Sequence, residues 1–302
     1  MPPLIALLVN VVLPVFAVVA VGAVIGRRFG LEVAPINRLA LYGAVPALAF
    51  RTLASIEMAW QPALHLVGAY VAFLIAIGAV ATLVARRWPA ASRRTLIGTS
   101  VFGNAANLNL PVALFAFGDA GLERALVLYV VTALAVFGLG PTLLGRAVGA
   151  GAGVRAALGF PVLWASLAGL ASNGWGGDLP TGATRAIDLL ADAAVPVVLL
   201  SLGVHMARSR RWRPSGRAWT GVFIKLVLGP AVAAAVGFAL GLRGLDLAVL
   251  ITLGAMPTAI NAAMLAVEFG GEADQVSDAV VAGTALALLT LPVVLAFAIH
   301  LA

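Results

Sequence analysis

The chain has no cysteine, a single lysine, three histidines and three tyrosines among its 302 residues. Without cysteine there is no disulfide, no thiolate nucleophile and no Cys-ligated metal. His65, His205 and His300 lie far apart, and no His-x-x-x-His or Glu-x-x-His spacing sets two ligands on one helical face. Neither a metal site, a bound cofactor nor metalloenzyme chemistry is therefore expected. Charge is scarce too: 10% of residues are charged against 62% apolar, with a mean hydropathy of +1.08. Such a chain has lipid for a solvent. Its 19 basic and 12 acidic residues leave a net +7, but the basic residues fall in short clusters between apolar runs. That is the pattern of membrane-surface anchors, and no nucleic acid partner is expected.

What is abundant is apolar sequence in runs of bilayer length, about 20 residues as helix. Spans are expected at 4–26, 35–56, 62–85, 94–117, 122–145, 156–173, 183–207, 217–241, 245–268 and 275–300, giving an all-α integral membrane protein of ten helices. The second, fourth, seventh and ninth are interrupted by polar residues and proline. The first opens Met1-Pro2-Pro3 without a basic flank and ends at Arg27-Arg28, the reverse of a signal peptide, so it is expected to be retained. No hydrophilic stretch is long enough for a soluble domain. Fourteen of the 19 basic residues lie on the odd-numbered connections, from Arg27, Arg28 and Arg38 to Arg208, Arg210, Arg211, Arg213 and Arg217. Those connections are expected to be cytoplasmic, with both termini outside a bacterial inner membrane.

The two halves match at a nearly constant offset. Pro14 pairs with Pro161, Ala44-Val45-Pro46 with Ala194-Val195-Pro196, Phe117-Gly118 with Phe269-Gly270, Thr132-Ala133-Leu134 with Thr284-Ala285-Leu286, and Pro141 with Pro292. Their shared order predicts a duplicated five-helix unit, 1–148 and 154–302. Five is odd, so the second copy is inverted, an architecture of secondary transporters that bind substrate where related broken helices meet. The fourth span reads Gly103-Asn104-Ala105-Ala106-Asn107-Leu108-Asn109-Leu110-Pro111, and the ninth Gly254-Ala255-Met256-Pro257-Thr258-Ala259-Ile260-Asn261. Proline opens a helix, and polar side chains can satisfy what is freed. Asn109 and Asn261 each precede the Phe-Gly pair by the same interval whereas the prolines do not, which predicts breaks alike in kind but shifted in register.

A half-helix starting inside the membrane presents free N–H groups and a positive dipole end, and asparagine adds neutral donors, so a carboxylate fits there. The opposite ends present carbonyls, which suit Na⁺ or a protonated group. The alternative reading is that Asn and Pro only kink and join helices. Asn104, Asn107, Asn109, Pro111, Pro257, Thr258 and Asn261 are the candidate substrate residues. Lys225, inside the eighth span, fits either support of a broken helix or neutralisation of an anion; the competing reading is a side chain reaching the cytoplasmic surface. Asp192 is a candidate proton or ion group. Arg51 pairs with the interfacial Asp188 or attracts an anion, and Asn10 either lines a path or packs.

These residues carry a resemblance. Leu13-Pro14-Val15-Phe16 with Gly22 and Arg27-Arg28, Asn37 through Leu41-Tyr42 to Pro46-Ala47-Leu48, Asn104 to Pro111 with Phe117-Gly118, Ala194-Val195-Pro196 with Leu202-Gly203, and Ala255-Met256-Pro257 to Asn261 together resemble the auxin efflux carrier family. That family includes bacterial malonate and malate permeases and plant auxin exporters. The resemblance implies an inverted 5 + 5 repeat similar to bile-acid-type symporters. Helices 1, 2, 6 and 7 would be the scaffold, through which relatives form homodimers, and helices 3–5 and 8–10 a moving transport domain. It implies that helices 4 and 9 cross at their breaks, with the substrate carboxylate beside the crossing and Asn104 matching the amide before the break. Unlike the plant members, the chain has no long hydrophilic insertion: only Gly149-Ala150-Gly151-Ala152-Gly153 and its flanks join the halves. The expected function is secondary transport of organic anions by elevator-type movement. The alternative is a Na⁺-coupled symporter or Na⁺/H⁺ antiporter of the same fold; no paired acids or nucleophile-base set points to an enzyme.

Overall fold

The structure, a computed structural model, describes residues 4–145, 155, 157–175, 179–208 and 214–302. The joining segment 149–153 and Arg146, Arg210, Arg211 and Arg213 lie outside the described residues. Among those described, regular structure is helical apart from an antiparallel bridge between Gly103 and Thr258. The helices are α1 Leu4–Phe29, α2 Val33–Ala54, α3 Trp60–Val84, α4 Ala90–Val101, α5 Ala105–Leu144, α6 Pro161–Trp175, α7 Thr181–Arg208, α8 Gly216–Ala239, α9 Gly244–Gly254, α10 Ile260–Glu268 and α11 Ala273–Leu301. Of these, α1, α2, α3, α5, α7, α8 and α11 are long and apolar enough to cross a membrane. Large apolar side chains such as Val24, Ile75, Leu189 and Leu289 face outward, as lipid-facing positions do.

The expected fourth span, 94–117, is not one helix. α4 stops at Val101 and Phe102–Asn104 leave helical geometry. α5 then continues through the expected fifth span, turning at Gly118 with φ 67° and ψ −159°. Only glycine adopts that conformation without strain. Gly270, 152 positions later, has the same φ of 67° and separates α10 from α11.

Four π turns interrupt the helices, at Leu8–Val12, Ala40–Ala44, Ala105–Asn109 and Ile224–Leu228. Each is followed two residues on by a proline: Pro14, Pro46, Pro111 and Pro230. A proline ring collides with the carbonyl four residues back, here that of Asn10, Tyr42, Asn107 or Leu226, and the wider turn takes that carbonyl out of the way. The expectation that Pro111 opens the fourth span is thereby corrected. Pro111 accounts for the π turn, while the break lies several residues earlier.

In lipid, helices associate through close van der Waals contact and not through burial of apolar surface from water. Accordingly α1 packs on α7 and α2 on α6 at small residues. A Cβ on Gly22 would stand 2.4 Å from the Leu200 carbonyl oxygen, and one on Gly169 would stand 2.6 Å from that of Phe50. Gly169 follows Gly22 by 147 positions and Leu200 follows Phe50 by 150. The same backbone contact is thus made twice, at the offsets of the neighbouring sequence matches.

Candidate functional site

The two breaks meet. The Asn104 N–H donates to the Pro257 carbonyl at 2.8 Å and the Ala259 N–H to the Phe102 carbonyl at 2.9 Å. Two short extended stretches therefore satisfy each other's backbone where four helix ends, of α4, α5, α9 and α10, come together. Without that pairing their polar groups would face an apolar interior. Thr258 adds a third link, its hydroxyl donating to the Thr99 carbonyl at 2.9 Å. Pro257 is in the second break itself, packed within 3.2 Å of where a Cβ on Gly283 would be.

Asn104 caps α5: its Oδ1 accepts from the Asn107 N–H at 3.1 Å, filling one of the donors a helix start leaves open. Its Nδ2 has no protein partner and the residue is 1% exposed. Asn107 reaches the other way, its Nδ2 donating to the Val198 carbonyl in α7 at 2.9 Å. Asn261, at the start of α10, accepts from Asn37 Nδ2 of α2 at 3.0 Å. The start of α10 carries no side-chain cap.

Asn104, Asn107 and Asn261 line one small cavity together with Tyr129 and Thr132. Its volume is about 20 Å³, room for roughly one water molecule. The Tyr129 hydroxyl is buried there without a protein partner. Thr132 donates to the Leu128 carbonyl at 2.9 Å and accepts from Tyr70 at 2.7 Å. The cavity thus brings unfilled amide and phenol donors to the positive ends of two half-helices, a setting that attracts an anion.

The other expected residues fall elsewhere. Asn109 is fully buried with both amide atoms unpaired, outside the cavity lining. Pro111 is in the first turn after the π segment. Lys225 is 1% exposed and does not reach the surface, so that reading is dropped. It lies against Gly103 of the break. Asp192 is not at the crossing; its carboxylate accepts from Arg51 at 2.6 Å, while Asp188 stands 3.8 Å from the same guanidinium nitrogen. The expected Arg51–Asp188 pairing is therefore secondary to Arg51–Asp192. Asn10 is exposed on α1. Sequence reasoning assigned no role to Tyr129 or Asn37. The available signal for the first was one of only three tyrosines standing one helical turn before Thr132.

A family model described as "Membrane transport protein" matches residues 5–145 and 151–295. An "Uncharacterized transporter" of Methanothermobacter thermautotrophicus is 33% identical over 267 residues, 86% of this chain and 87% of that protein. "Auxin efflux carrier component 1" of Arabidopsis thaliana is 33% identical over 144 residues, 47% of this chain and 22% of its own length. "Probable auxin efflux carrier component 1b" of Oryza sativa subsp. japonica is 33% identical over 142 residues, 46% of this chain and 24% of its own length.

Proposed function

The chain belongs to the membrane transport protein family that includes the auxin efflux carriers, and from that premise we propose that it is a secondary transporter of organic anions. The observation that carries this reading is the cavity at the crossing. Asn104 and Tyr129, whose Nδ2 and hydroxyl have no protein partner, line the space where the half-helices α5 and α10 begin. A mono- or dicarboxylate of auxin, malate or malonate type would accept from these neutral donors without facing an acid. With room for about one water, the cavity is closed to such a substrate in this conformation, so binding requires the walls to part.

The proposed architecture is ten crossings in an inverted 5 + 5 repeat, 1–148 and 154–302. In it α4 with the start of α5, and α9 with α10, form the broken fourth and ninth. The doubled Gly22–Leu200 and Gly169–Phe50 contact, and the matching turns at Gly118 and Gly270, support it. Crossings 1, 2, 6 and 7 would be the scaffold and a homodimer surface. The rest would form a transport domain moving as an elevator, in a bacterial inner membrane with both termini outside. Asn107 to Val198 and Asn37 to Asn261 are then contacts between scaffold and transport domain, which movement must exchange. The Na⁺-coupled alternative loses its acidic candidate, because Asp192 is paired with Arg51 away from the crossing.

A thermal-unfolding screen of purified protein against carboxylates tests the reading. A ligand at 100 times its Kd raises stability by about 2.7 kcal/mol. Stabilisation by a carboxylate that Asn104→Ala abolishes is the expected result. No stabilisation by any mono- or dicarboxylate, in any salt or at any pH, would overturn it.

A further inference from the structure

A groove of about 510 Å³ runs between α2 and α6 on one side and α3 and α5 on the other. Leu163 and Leu170 of α6 line it together with Leu64 and Val67 of α3 and Val127 and Val131 of α5. Apart from Ser166 and Asn173 its lining is apolar. Leu64 and Leu170 are exposed, so the groove opens on the surface that large apolar side chains turn to lipid. Tyr129 and Thr132, on the same stretch of α5, line the crossing cavity. One helix therefore separates the groove from the candidate substrate space.

An apolar space of this size offers water few hydrogen-bond partners, and left empty it would forfeit the dispersion contacts of its walls. Hydrocarbon is the filling that suits it, and its level and length select an acyl chain. Trp60 lines one end, and the exposed Trp175 stands two residues beyond the lining Asn173; tryptophans of this kind mark the membrane–water interface. Asn173 ties that end of α6 to α2, its Nδ2 donating to the Ala54 carbonyl at 2.9 Å. From Asn173 to Leu163 is ten residues, about 15 Å of helix, and one leaflet is about half of a roughly 30 Å hydrocarbon core. The groove thus starts at headgroup level and runs the depth of one leaflet. At its mouth Glu57 stands exposed between the lining residues Ile56 and Met58, its N–H donating to Glu123 Oε1 at 2.7 Å. Among the described residues the Glu57 carboxylate forms no ion pair. Glu57, Asp119 and Glu123 share the adjoining cavity with Arg51, which is already paired with Asp192. Such a mouth favours a headgroup carrying an ammonium over a net anionic one.

We propose that the groove is the seat of one acyl chain of phosphatidylethanolamine, with the lipid's ammonium at Glu57. Its walls come from both proposed domains, α2 and α6 from the scaffold and α3 and α5 from the transport domain. A lipid lodged there is held only while those walls face each other, so it favours this closed arrangement. The binding itself does not depend on what the crossing carries.

The test photolabels the full chain in detergent with phosphatidylethanolamine bearing a diazirine in mid-chain and maps the label by peptide. Unlabelled phosphatidylethanolamine and phosphatidylglycerol of the same chains are the competitors. Label is expected around Leu64, Val131 and Leu170, cut about tenfold by an excess of phosphatidylethanolamine and far less by phosphatidylglycerol. Label at Val24 and Leu289, which face lipid elsewhere, is expected to resist competition. Leu64→Trp and Leu170→Trp, at exposed positions where the larger ring fills the groove, should lose the label, and Glu57→Gln should erase the headgroup preference. Phosphatidylethanolamine should also raise the melting temperature by about 3 °C or more in wild type, and not in the two Trp variants. Uniform label over all lipid-facing positions, or equal competition by both lipids, overturns the proposal. Leu170→Cys chains that oxidise to a disulfide-linked dimer would assign the groove to a second copy and overturn it too. If the Trp variants do not fold, competition in wild type and in Glu57→Gln decides by the same criteria.

Discussion

Asn104 and Asn107 stand three residues apart, both buried, and their substitutions should separate cleanly. Asn107 Nδ2 is committed to the Val198 carbonyl, so Asn107→Ala removes a hydrogen bond between the π turn and α7. A loss of about 0.5–1.5 kcal/mol is expected, read as a lower unfolding temperature in detergent. Asn104 spends one side-chain atom on the cap of α5 and keeps Nδ2 for the cavity. Asn104→Ala should cost roughly 1 kcal/mol of stability for the cap and at least about tenfold in carboxylate affinity, since a hydrogen bond to a charged group contributes roughly 1.5–3 kcal/mol. Titration calorimetry on both variants separates the two effects. Amides in an apolar run made this pair legible in the sequence. Tyr129 was not legible, because one tyrosine among Leu and Val reads as ordinary packing until α5 folds it against Asn104. Nor was the Arg51–Asp192 pairing, which depends on how α2 and α7 are rotated against each other.

At the scale of elements, the contact of α1 with α7 and that of α2 with α6 are two versions of one arrangement. Gly22→Val and Gly169→Val each drive a side chain into a carbonyl, and overpacking of that kind costs typically about 1–3 kcal/mol. Both should lower the unfolding temperature to a similar degree, whereas valine at Gly68, where a Cβ meets nothing within 4 Å, should not. The duplication behind this pairing was legible because prolines and Phe-Gly turns survive as fixed points in otherwise interchangeable Ala and Leu. The position of the first break was not. Proline signals a disturbed helix but not which disturbance, and before Pro111 the disturbance is the π turn Ala105–Asn109, with the true break displaced to Phe102–Asn104.

For the whole molecule, the absence of cysteine gives a clean background for cross-linking. Asn37 and Met264 touch across the proposed boundary between scaffold and transport domain, Nδ2 to Sδ at 3.3 Å. Arg124 and Asp246 form an ion pair within the proposed transport domain. Joining Asn37→Cys to Met264→Cys with a short bifunctional reagent should abolish transport reversibly. Joining Arg124→Cys to Asp246→Cys should leave most of it, because that pair moves as a unit. Equal inhibition by both links would argue against a rigid moving domain. The central claim is carried by transport itself, and its most direct measurement is uptake of labelled malonate and indole-3-acetate into proteoliposomes down an imposed gradient. The account predicts saturable uptake, competed by unlabelled carboxylates and lost in Asn104→Ala. Absence of uptake of every mono- and dicarboxylate under any ion gradient would contradict it.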